Sequence, residues 1–157
     1  MKRATAVIIM LLILVCIFSA CILTDSPALV SLGGYQKREY YESEGFQDFT
    51  AYAKYYYENV DFSDNHVYSK VTSADIAEIN NILNDFDQWV DMYKENDHSK
   101  DLVNNYDFDR SVIDTEDYLY IESDTFNYED GTTGYYKYNL YFYDVETNIL
   151  YYFHNNI

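Results

Sequence analysis

The sequence predicts an α+β domain with two helices packed on one face of a three- or four-stranded antiparallel meander. Three observations carry this. Apolar side chains recur at spacings of three and four across 46–60 and again across 76–93, and after Asp101 the period drops to two. Of the 157 residues, 48% are hydrophobic and only one is proline, which is too apolar for a disordered acidic tail. A chain of this length supports one domain of ordinary size.

Taken in order, the elements begin with an export signal. Lys2 and Arg3 precede an apolar run from Ala6 to Phe18, and Ser19, Ala20 and Cys21 follow as a small-residue cleavage site. The stretch Phe18-Ser19-Ala20-Cys21 resembles the lipobox of small bacterial lipoproteins, with Phe18 where that family usually carries leucine. Cys16, preceded by Val15, fits the motif less well. The resemblance implies that residues 1–20 are a lipoprotein signal peptide and that Cys21 becomes the diacylated first residue, carrying palmitate or a similar chain. The domain would then be lipid-anchored on the outer face of the cell membrane. Two acyl chains, at about 0.8 kcal/mol per buried methylene, hold stably where one does not. An uncleaved anchor is the other reading, because Ala6 to Leu23 is interrupted only by Ser19 and about 18 apolar residues can just span a bilayer. With Cys16 removed and Cys21 acylated, no disulfide can form.

Residues 21–38 hold the only proline, Pro27, and the pair Gly33-Gly34 without sustained periodicity, so they read as lipid attachment and flexible tether. Residues 39–157 read as a single acidic domain. Phe46, Phe49, Ala53, Tyr56 and Val60 line one side of a first helix with Ser43 as N-cap, although Tyr55-Tyr56-Tyr57 suits a strand equally well. Ile76, Ile79, Leu83, Phe86, Val90 and Tyr93 define the second helix, capped by Thr72 with Asp75 and stapled by Val71 onto Ile76. Trp89 lies beside that stripe. Alternation then places Tyr118, Tyr120 and Glu122 on one side of a strand and Leu119, Ile121 and Ser123 on the other. Turn residues fill 127–134. Tyr136, Tyr138, Leu140 and Phe142 alternate with Lys137, Asn139, Tyr141 and Tyr143, and the turn 144–148 returns the chain through Ile149 to His154 as a hairpin.

The charge excludes one function class. With 27 acidic against 10 basic residues and a net charge of -17, the chain lacks the cations that bind phosphate backbones, so no nucleic-acid partner is expected. Twenty tyrosines are the most unusual feature, and exposed rings could stack on sugars or peptides while their hydroxyls hydrogen-bond. Tyr135, Tyr136, Tyr138, Tyr141, Tyr143, Tyr151 and Tyr152 form the candidate binding surface for a protein or cell-envelope glycan. Tyrosine also suits strand interiors, and since both faces of the final hairpin carry it, at least one face must be core.

Other chemistries are weaker. Asp107, Asp109, Asp114, Glu116 and Asp117 could gather oxygen ligands for Ca2+, yet no EF-hand spacing is present, and a solvated acidic loop accounts for them as well. No cofactor is expected otherwise. His66, His98 and His154 are too dispersed for a zinc motif. No mature cysteine, nucleophile elbow or phosphate loop appears. A hydrolase drawing two carboxylates from Asp107, Asp109 and the acids at 114–117 is the alternative to a binding module, and a structural or inhibitory partner of another envelope protein is a third reading.

Overall fold

The computed structural model describes residues 26–45, 48–95 and 97–156. The expected signal peptide with Cys16 and Cys21, and Phe46 of the expected first helix, lie outside them. The chain is an α+β fold built on one antiparallel sheet of six strands, more than the three or four expected. In chain order the elements are α1 (Pro27–Leu32), β1 (Lys37–Glu42), β2 (Phe49–Tyr56), β3 (Ser69–Lys70), α2 (Ser73–Tyr93), α3 (Lys100–Asn105), β4 (Tyr118–Asn127), β5 (Thr133–Asp144) and β6 (Ile149–Asn156). Across the sheet they run β1-β2-β6-β5-β4-β3.

The expected meander is present as β4-β5-β6, and the β1–β2 hairpin is added to its far side through β2 and β6. In place of the first helix expected over 46–60 stands strand β2, with 57–60 irregular. In β2, Tyr52 faces one side of the sheet while Ala53 and Tyr55 face the other, and both sides are buried. A strand apolar on both faces matches a helical template by chance, and its tyrosines and threonine favour the extended chain. Ser43 caps no helix. Its hydroxyl accepts from the Thr50 N–H at 2.9 Å and its own N–H donates to the Thr50 carbonyl at 2.8 Å, which closes the β1–β2 hairpin.

Both faces of the sheet are covered, not one. On the first face α2 lays Ile79, Ile82, Leu83, Phe86 and Val90 over Tyr52, Leu140, Phe142 and Phe153. Its N-terminus carries the expected capping box between Thr72 and Asp75, and both Val71 and Ile76 join this cluster. On the second face α1 buries Ala28 and Leu32 against Ala53, Tyr55, Tyr141, Tyr143 and Leu150, beside Tyr57 and Tyr68. Residues 27–32 of the expected tether are thus a packed helix, begun by Ser26 as cap and Pro27 in the first turn, and Lys37 and Arg38 open β1.

Candidate functional site

The sequence-predicted tyrosines divide on burial. Tyr135, Tyr138, Tyr141 and Tyr143 are 6%, 0%, 4% and 1% exposed, so these rings pack in the core. Tyr151 and Tyr152 are half-buried; Tyr151 packs edge-on against Phe108, and the Tyr152 hydroxyl donates to Asn139 Oδ1. Tyr136 alone of the seven is open, at 57%. The cause is a β-bulge opposite Asp124 and Thr125, where β5 carries Tyr136 as an extra residue. The bulge shifts the alternation by one, so Tyr135 joins Tyr138 on the helix face and Tyr136 is turned outward.

The acidic residues separate too. Asp107 accepts from Tyr52 and Lys54, Asp109 caps the Ser111 N–H, Asp114 caps Glu116, and Glu116 pairs with Lys70. Asp117 is 2% exposed and accepts from Val145 N–H and Asp114 N–H at 3.0 Å each, and burial pushes its carboxyl up to about 6. Each of these carboxylates holds its own stretch of backbone or its own partner. Among the described residues no group of three or more His, Cys, Asp or Glu side chains converges as a metal site. His66 is exposed, His154 is buried, and the side chain of His98 lies outside the described part.

The strongest site is one the tyrosine count did not locate. Helix α2 carries Asn81, Asn84, Asp85 and Gln88 at successive spacings of three, one and three, a polar stripe flanking its buried face. These side chains form one wall of a cleft of about 470 Å³, and the tip of the β4–β5 hairpin forms the other, with Tyr128 and residues 131–135. The tip is closed by local hydrogen bonds. Tyr128 N–H donates to the Thr132 carbonyl at 2.8 Å, Asp130 accepts from the Thr132 N–H and hydroxyl, and Gly131 turns the chain at a φ of 86°. Phe126 packs against Tyr128 and Tyr136 with centroids 4.9 and 4.5 Å apart. Gly134 lies under the Phe126 ring, leaving no room for a Cβ.

No family model, curated protein or solved structure matches the chain. The cleft's chemistry must therefore be read from its own groups. Asp85 is half-buried in the cleft wall, and burial lifts its carboxyl above the usual range against the opposing pull of the Tyr138 hydroxyl and Trp89 indole. Asp85 Oδ2 and the Tyr138 hydroxyl are both buried without a well-formed hydrogen bond. Arg110 donates to Asn84 Oδ1 at 2.7 Å, which fixes that amide and leaves its donors for a ligand. Amides offer paired donors and acceptors, and Tyr128, 55% exposed, offers a ring face. An apolar occupant would strip water from those amides without replacing it. No lysine or arginine lines the cleft, and Arg110, which bonds Asn84, is already paired with Asp87, so an anion would meet Asp85 without a free cation.

Proposed function

We propose that the protein is a lipid-anchored extracytoplasmic module that binds a neutral cell-envelope glycan in the cleft between α2 and the β4–β5 tip. The observation that carries this reading is the stripe of three amides and one carboxyl facing an exposed tyrosine ring. Amide groups can meet neighbouring hydroxyls as donor and acceptor together, and a ring face covers the C–H side of a pyranose. The anchor rests on the lipobox resemblance, with Cys21 as the acylated residue.

Trp89, the only tryptophan, lies beside Asp85 and reports on the cleft. Full-length protein in detergent should show a saturable change in tryptophan fluorescence on titration with the N-acetylglucosamine tetramer or with cellotetraose. Gln88→Ala should remove it without moving the thermal midpoint, since that side chain is exposed, and Tyr128→Ala should remove it in a folded protein whose midpoint falls only by the lost contact with Phe126. A response absent for both sugars, or retained in both variants, overturns the glycan reading. Incorporation of labelled palmitate that persists in Cys21→Ser would separately overturn the anchor.

A further inference from the structure

The free edge of the sheet supplies an independent site. Strand β3 pairs only Ser69 and Lys70 with Leu119 and Tyr118, so the remaining eight of the ten residues of β4 have no outer neighbour among the described residues. The opposite edge strand, β1, is shorter, at six residues, and is in contact with α3. Which backbone groups of β4 face outward can be read from its start. The Asp117 carbonyl accepts from Val71 N–H at 2.9 Å and the Leu119 carbonyl accepts from the Ser69 hydroxyl at 3.4 Å, both on the β3 side. Backbone direction alternates along an antiparallel strand, so Ile121, Ser123 and Thr125 turn their N–H and C=O groups the same way. The bulge lies on β5 and leaves β4 regular, and Tyr128 N–H, opposite in phase, points inward to Thr132.

An unpaired ladder of this length is a template for an added strand. Charge decides which strand. Glu122 and Asp124 are exposed along it and border a shallow concavity of about 440 Å³ together with Ser123, Lys137 and Asn139; Lys137, opposite Asp124 on β5, offsets one of the two acids, and the whole chain carries -17. Two copies meeting edge to edge would set these acids against one another. We infer that the outer edge of β4 from Tyr120 to Asn127 takes an extended, lysine- or arginine-bearing peptide of a partner protein as a further strand. Main-chain hydrogen bonds to Ile121, Ser123 and Thr125 would supply the register, and Glu122 and Asp124 the preference for basic side chains.

The probes are a fluorescent octapeptide of alternating lysine and valine and its glutamate counterpart, titrated onto full-length protein by polarisation. The lysine peptide should bind saturably and slow hydrogen exchange at the amides of 121, 123 and 125, while the glutamate peptide should not bind. Ser123→Pro removes one outward N–H but no bond to β5, and should weaken binding about tenfold. Asp124→Lys should shift preference toward the glutamate peptide. Undiminished binding to a folded Ser123→Pro variant would show charge attraction without strand addition and overturn the inference. So would the absence of exchange protection at these amides, or concentration-dependent self-association through the edge, which would make the occupant a second copy. If Ser123→Pro does not fold, the exchange pattern and the Asp124→Lys preference decide.

Discussion

Replacing Asp117 with asparagine should tilt the dependence of stability on pH, and replacing His154 should tilt it the opposite way. The Asp117 carboxyl is raised by burial to about 6 from an ordinary 3.8. Between those values the folded state holds a proton that the unfolded state has released. The stabilising contribution is therefore present below about 3.8 and lost as the pH rises through 6, a change of about 3 kcal/mol. His154 runs the other way, because burial lowers its imidazole to about 4 from 6.5. Its Nδ1 bonds Asn139 at 2.8 Å and its Nε2 is buried without a partner, so the ring is held neutral. Its contribution is present above 6.5 and lost as the pH falls through 4, again by about 3 kcal/mol. The two effects nearly cancel across one window. In urea denaturation between about pH 4 and 6.5, Asp117→Asn should gain on the wild type by about 3 kcal/mol as pH rises, and His154→Gln should lose a similar amount. The backbone bond that asparagine cannot accept costs about 1 kcal/mol at every pH, an offset rather than a slope. A difference between Asp117→Asn and wild type that stays flat within about 0.5 kcal/mol would refute the reasoning, since the carboxylate would then ionise in the fold without penalty.

Three further outcomes are expected. Gly134→Ala would put a Cβ 2.4 Å from the Phe126 ring, costing about 1–3 kcal/mol and weakening oligosaccharide binding by displacing the tip, with Phe126→Leu restoring part of the stability. Thr72→Ala should lower the urea-derived stability by about 1 kcal/mol, because it opens the capping box of α2. Tyr52→Phe should cost about 1–2 kcal/mol in the same assay through the lost bond to Asp107.

Helix α2, β4, β6 and β5 from Lys137 onward were legible because each presents one clean period, which in β5 the bulge at Tyr136 interrupts. Thr72, Asp75 and Val71 mark the helix start by local chemistry alone, and Leu119 and Ile121 oppose Tyr118 and Tyr120 as alternation requires. Strand β2 was not legible, because burial on both faces erases the alternation that separates strand from helix. Strand β1 reads as KREYYE, whose place in the sheet depends on pairing with Tyr52 to Tyr56 rather than on its own pattern. Helix α1 is too short to declare a period, and only Ser26-Pro27 and Gly33 hinted at its ends. Of the candidate site, the exposed Tyr136 was named, but its reason, the bulge, is a property of the β4–β5 pair. The Asn81, Asn84, Asp85 and Gln88 stripe did lie in plain view, on the same helical period as the apolar stripe used to find the helix.

The position of β6 governs when this molecule can acquire its shape. It follows every other strand in the chain yet sits between β2 and β5, and Thr50 bonds Asn155 across a separation of 105 residues. The β1–β2 hairpin has no further strand to pair with until β6 has been made as far as Asn156. Synthesis therefore runs ahead of completion of the sheet. Assembly itself should be slow, since so distant a pairing must be found before it is rewarded.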